Sequence, residues 1–107
     1  RDKAKRPLMA RAVENFADLP VLTTDNPRFE DPQAIIKDAE KGFTGEKRYK
    51  IIVDRGDAIH WVLQNSTTND IIAILGKGHE TYQDIKGKKY PFSDFKVVQE
   101  WLYENKN

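Results

Sequence analysis

The chain has no cysteine, which excludes disulfides and thiolate metal sites. That lack is compatible with a reducing compartment, and a cytoplasmic location is the expectation. No apolar run approaches the roughly 20 residues that a membrane-spanning helix needs. No secretory leader is expected from the residues given, because the first of them are charged and no apolar stretch follows. Charge of one sign is missing too. Lys and Arg number 18 and Asp and Glu 17, for a formal net charge of +1, so no bulk field favours nucleic acid or an anionic membrane. Neither is expected as a partner. Internal repeats, low-complexity tracts and linkers are absent, and one folding unit over residues 1–107 is the economical reading.

What is present fits a soluble globular domain rather than a disordered one. The composition is 38% hydrophobic and 33% charged, enough apolar material for a modest core. The start, Arg1-Asp2-Lys3-Ala4-Lys5-Arg6, lacks an initiator Met. The expectation is a domain excised from a longer chain, with an element missing upstream.

Leu8, Met9, Ala12, Val13 and Phe16 recur at helical spacing behind Pro7, predicting a helix over 7–16 with that face inward. A β-branched strand is predicted over 21–24, ended by Asn26-Pro27. Asp31-Pro32 opens a second helix with Ile35, Ile36, Ala39 and Phe43 on one face, ended by Gly42 and Gly45. A strand over 49–53, a helix over 57–63 and a strand over 71–75 follow. The last of these is five apolar residues in a row, the pattern of a strand covered on both faces. Residues 82–90 predict a hairpin turning at Lys86-Gly87, and Ser93 caps a final helix with Phe95, Val98 and Leu102 on one side. Helix and strand alternate, so the expected fold class is α/β, a mainly parallel sheet with helices on both faces.

Two polar motifs end strand-like runs: Asp25-Asn26-Pro27-Arg28 after residue 24, and Gly76-Lys77-Gly78-His79-Glu80 after residue 75. In an open α/β sheet, ligands bind where strands end. If the two strands are parallel neighbours, Arg28 and Glu80 lie side by side, one cation and one anion able to grip an amino acid zwitterion. Each motif also reads as an ordinary turn, since Asp, Asn, Pro and Gly all favour turns. The glycines match neither a phosphate loop nor the dinucleotide fingerprint. His79 is expected to make a structural polar contact, because His60, the other histidine, sits on a predicted helix and metal-ligand spacing is lacking. Trp61 and Trp101 read as core aromatics. The basic cluster at residues 1–6 reads equally as a solvated terminus or a phosphate contact. No catalytic triad or paired catalytic carboxylates emerge, so the residues alone suggest binding rather than chemistry.

Taken together, Arg1-Asp2-Lys3, Lys5-Arg6-Pro7-Leu8-Met9, Thr24-Asp25-Asn26-Pro27-Arg28, Glu30-Asp31-Pro32, Asp54-Arg55, Ala58-Ile59, Gly76-Lys77-Gly78-His79-Glu80 and Tyr82-Gln83 resemble, in this order, the C-terminal domain of the Mur ligases. The resemblance covers nearly the whole chain. It implies a Rossmann-like three-layer domain with a small C-terminal hairpin, here without the family's first strand. It implies an ATP-dependent, amide-forming reaction in peptidoglycan synthesis, in which ATP and Mg2+ are held by a central domain and UDP-MurNAc-L-alanyl-D-glutamate by the domains outside this chain. The Asp-Asn-Pro-Arg form resembles members that select meso-diaminopimelate. On that likeness Arg1, Asn26, Arg28, Gly76 and Glu80 would contact diaminopimelate, Asp2 and Lys3 would lie near ATP, and no residue here would be catalytic or bind metal. The fragment alone would not turn over. Two other readings stay open. One is a phospho-receiver-like signalling domain using Asp25, Asp54 and Lys77. The other is a plain small-ligand or protein-binding module.

Overall fold

The computed structural model describes residues 3–77 and 79–105. Four helices are set by local chemistry. Helix α1 is Lys5–Phe16, with Pro7 in its first turn, where a missing N–H costs nothing. Helix α2 is Pro32–Glu40, and the Asp31 carboxylate accepts from the Gln33 N–H at 3.0 Å. Helix α3 is Arg55–Asn65 and begins two residues before the predicted start, because Asp54 caps it by accepting from the Asp57 N–H at 2.9 Å. Helix α4 is Asp94–Glu104, capped by the Ser93 hydroxyl, which accepts from the Lys96 N–H at 3.2 Å.

Strand β1 (Val21–Leu22) pairs in parallel with β2 (Lys50–Ile51), with Val21 opposite Lys50. Backbone bonds carry the pairing further, from Lys50 N to Pro20 O at 3.0 Å and from Thr24 N to Val53 O at 3.3 Å. Strands β3 (Tyr82–Ile85) and β4 (Lys88–Pro91) form the expected antiparallel hairpin. Lys86 and Gly87 both have positive φ, 53° and 83°, the geometry of a two-residue hairpin turn that matches strand twist.

The result is a small α/β domain, but the sheet is less than the sequence predicts. Of the mainly parallel sheet, the β1–β2 pair is what forms among the described residues, with the hairpin as a separate two-stranded sheet. Residues 71–75 do not form the predicted strand. Ile71 is 98% exposed and Leu75 62%. An apolar run becomes a strand only when a neighbour accepts its ladder bonds, and none of the described residues does so here.

The core is small: Ala10, Ile36, Ala58 and Ile59, with Pro20 fully buried. On α3, Ala58 and Ile59 are buried together with Arg55, while Val62 and Leu63 are half-buried. On α1 the inward face is not the predicted one. Leu8, Met9 and Phe16 are exposed, while Ala10 and Glu14 are buried. Helix α1 packs against α2, with Arg6 bonded to Asp38 between them, and on α4 Phe95 and Leu102 are likewise exposed.

Arg6 is the centre of the α1–α2 contact. Its guanidinium donates to Glu30 at 2.6 and 3.2 Å and to Asp38 at 3.1 Å. The Arg6 hydrogen bonds hold both carboxyls below their ordinary values. A carboxyl with a lowered folded pKa adds stability above its ordinary pKa of about 4, and that stability is lost as pH falls through the lowered value. Both carboxyls are partly exposed, so the effect is modest. Arg6→Met is expected to lower the melting temperature at neutral pH, and the gap to the parent should close as pH drops below about 4. A gap that stays constant down the acid range, followed by circular dichroism melts, refutes this account.

Candidate functional site at the 25–28 and 76–85 loops

The loop leaving β1 docks on the hairpin. Arg28 N–H donates to Asp84 O at 2.9 Å, and Lys86 N–H donates to Arg28 O at 2.5 Å. Arg28 also forms an isolated parallel bridge with Ile85. These bonds hold Arg28 at φ 55°, a left-handed conformation that costs a non-glycine residue about 1 kcal/mol or more. Its guanidinium is the unusual part. Nη1 is buried with no hydrogen-bond partner among the described residues. A buried charged donor left unpaired costs about 1–3 kcal/mol or more, so the site calls for an acceptor from outside the chain.

Asn26 joins the two loops. Its Oδ1 accepts from Lys77 Nζ at 3.2 Å and from the Asp84 N–H at 2.9 Å, and its Nδ2 donates to Glu80 Oε1 at 3.2 Å. Gln83 Nε2 adds a bond to Asp25 O at 2.9 Å. Gly76 sits at φ 103°, open to glycine and strained for other residues, and a Cβ there would lie 3.4 Å from Asp25 Oδ2.

Lys77 has a side chain with no solvent exposure. Its Nζ donates to Tyr82 O at 2.8 Å, lies 2.8 Å from Asp25 Oδ1 and lies 3.8 Å from Glu80 Oε1. The Asp25 contact is a short ion pair rather than an aligned hydrogen bond, since Asp25 Oδ1 has no hydrogen-bond partner of good geometry.

Below this cluster, Arg55 ties both loops to the fold. It pairs bidentately with Asp94, Nε to Oδ1 at 2.8 Å and Nη2 to Oδ2 at 2.7 Å. It also donates to Thr24 O at 3.2 Å and Leu75 O at 3.1 Å. Those carbonyls belong to the residues just before Asp25 and Gly76. One buried guanidinium therefore brings together the starts of both motifs.

A family model described as "Mur ligase, glutamate ligase domain" matches residues 1–78. The chain belongs to the Mur ligase family. Among curated relatives it is 51% identical over 102 residues to the UDP-N-acetylmuramoyl-L-alanyl-D-glutamate–2,6-diaminopimelate ligase of Aquifex aeolicus, covering 95% of this chain and 21% of that protein. It is 50% identical over 102 residues to the enzyme of the same name from Chromobacterium violaceum, covering 95% and 20%. A solved structure of a ligase of that name superposes with a TM-score of 0.94 at 40% identity, covering all of this chain and 22% of the other. The chain thus spans about a fifth of the length of these relatives.

In this Mur ligase chain, four of the residues assigned to ligand contact lie in one place. Asn26 and Glu80 are hydrogen-bonded, Arg28 is fixed to the hairpin beside them, and Gly76 abuts Asp25. Arg1 and Asp2 lie outside the described residues. Lys3 is described, with its ammonium 3.8 Å from Glu30. The sequence reading placed Lys77 in the glycine-turn motif and Arg55 in the motif order of the family likeness, but gave neither a role in shaping the amino acid site. The signal for Lys77 was a lysine inside a glycine turn at a predicted strand end. Arg55 stood out only as part of the Asp54-Arg55 motif, and its acceptors, distant in sequence, were not readable. His79 is exposed. Asp54, the residue a phospho-receiver would modify, is spent on capping α3. A shallow cleft of about 350 Å³, lined by residues that include Arg11, Glu14 and Lys47, lies between α1 and the 44–47 turn. Glu14 and Lys47 are engaged there in bonds to Thr44 and to backbone carbonyls.

Proposed function

We propose that residues 1–107 are the C-terminal, amino-acid-presenting domain of an ATP-dependent ligase that joins meso-diaminopimelate to UDP-MurNAc-L-alanyl-D-glutamate. The observation that carries this reading is the buried, unpaired Nη1 of Arg28 on the same loop cluster as Glu80. Meso-diaminopimelate has a second carboxylate and a second ammonium at its far end. Arg28 takes that carboxylate with its fork of donors, and Glu80 takes the ammonium, helped by the Gly76 carbonyl and Asn26. Arg1 takes a carboxylate nearer the reacting end. The names of the relatives support this choice of amino acid.

In this reaction the carboxylate of the nucleotide-linked substrate takes the terminal phosphoryl group of ATP, giving an acyl phosphate and ADP. The free amino group of the presented residue attacks the acyl carbon, and phosphate leaves. This domain's contribution is orientation and exclusion of water. ATP and Mg2+ fall to the rest of the enzyme, with Asp2 and Lys3 near the nucleotide. The Rossmann-like, three-layer sheet belongs to the same proposal. Residues 71–75 become a strand when a neighbour completes it, and the exposed Leu8, Met9 and Phe95 become contact surface. The cytoplasm, where nucleotide-linked precursors are made, is the proposed location.

The test is the full-length enzyme's amide formation with meso-diaminopimelate and with L-lysine, each with ATP. Marked preference for meso-diaminopimelate is expected. Lysine lacks the distal carboxylate and leaves Arg28 unpaired, at a cost of about 1–3 kcal/mol. Equal use of both amino acids would defeat the assignment.

A further inference from the structure

We propose that Lys77 sets the charge of this site and so determines which distal head group it accepts. The inference rests on the functional reading above and deepens it. Lys77 is the buried cation at the centre of the cluster. Its ammonium stands 2.8 Å from the Asp25 carboxylate and 3.8 Å from that of Glu80, and it donates to the Tyr82 carbonyl and to Asn26. These distances differ in consequence. The closer partner, Asp25, is neutralised by the ion pair. Glu80 is held less tightly, by Lys77 and by Asn26, and its side chain stays 36% exposed. One carboxylate is thereby silenced and the other left able to receive a ligand ammonium.

A lysine that merely stitched two loops together would not need to face two carboxylates. Removing it changes the site by one full charge and leaves Asp25 and Glu80, on adjoining loops, without the cation between them. Lysine and meso-diaminopimelate differ at the far end by one charge: the first presents a cation, the second a zwitterion. A site made more negative by one unit favours the cation. With an effective dielectric near 20 and charges several ångströms apart, the change in preference is about tenfold or more. Lys77 is a positioning and specificity residue here, with Arg28 and Glu80 as the groups that touch the amino acid.

The experiment compares kcat and KM for meso-diaminopimelate, L-lysine and ATP in the full-length enzyme and three variants, with thermal melts alongside. In Lys77→Met, KM for L-lysine should fall about tenfold relative to that for meso-diaminopimelate, so the preference for meso-diaminopimelate should fall by the same factor. The KM for ATP should stay near the parent value. In Asp25→Asn the site becomes more positive, so the preference should move the opposite way. In Lys77→Met with Asp25→Asn the charge is restored and most of the preference returns. If Lys77→Met does not fold, the shift in Asp25→Asn decides. An unchanged preference in Asp25→Asn, or a Lys77→Met enzyme impaired equally toward all three substrates, overturns the role of Lys77 alone. A parent enzyme indifferent between the two amino acids overturns the functional reading, and this inference with it.

Discussion

Replacing Arg28 with alanine in the full-length enzyme is expected to lower kcat/KM for meso-diaminopimelate by about a hundredfold, mostly through KM. The side chain offers a planar fork whose Nη1 is already buried and unpaired, so the cost of ordering and drying it is met before a ligand arrives. A carboxylate that completes those bonds gains their full strength. Removing the fork leaves the ligand carboxylate without those donors. Arg28→Lys restores the charge but not the paired geometry, and recovers only part of the loss. Stability separates the roles of side chain and backbone. At φ 55° glycine is unstrained, so Arg28→Gly should melt above Arg28→Ala by an amount worth about 1 kcal/mol. Both variants should be equally poor with meso-diaminopimelate. A fully active Arg28→Ala enzyme at low amino acid concentration would remove the guanidinium from the site.

The second large effect is structural. Arg55 and Asp94 are buried, 4% and 6% exposed, and joined by two short bonds. Arg55→Met leaves the Asp94 carboxylate buried without its partner and frees the Thr24 and Leu75 carbonyls. Breaking such a pair from one side costs about 3–5 kcal/mol. Replacing both partners, Arg55→Met with Asp94→Leu, removes the stranded charge and should recover part of that loss. Denaturant unfolding of the single and double variants measures it. A single variant no less stable than the double contradicts the account. The double variant should still bind meso-diaminopimelate weakly, since no donor then holds the starts of the two motifs together.

Local chemistry was legible throughout the chain. Asp31-Pro32 and Ser93 announce helix starts because a side-chain oxygen satisfies an exposed N–H within three residues. Lys86-Gly87 announces the hairpin because both residues must take positive φ. Asp54 is such a signal too, and placing the start of α3 at Asp57 passed over it. Patterns that depend on a distant partner were read less well. Residues 71–75 have the composition of a buried strand, yet Ile71 is exposed, because ladder bonds come from a neighbour. Leu8, Met9 and Phe16 of the apolar stripe on α1 are exposed, while charged Arg6 and Glu14 turn inward, because Glu30, Asp38 and Thr44 supply partners far along the chain.

The sequence by itself determined the family, the helix boundaries within a few residues, the hairpin, and the two motifs whose residues are the candidate ligand contacts. Those depend on side chains acting over one turn of chain, or on motif order. Tertiary structure alone decided that the motifs meet, that Lys77 is buried against Asp25, and that Arg55 joins the residues preceding both. Hydrogen bonding and charge pairing in a dry interior act through space, here with hydrogen-bond partners 20 to 58 residues apart, and nothing in the linear order records it.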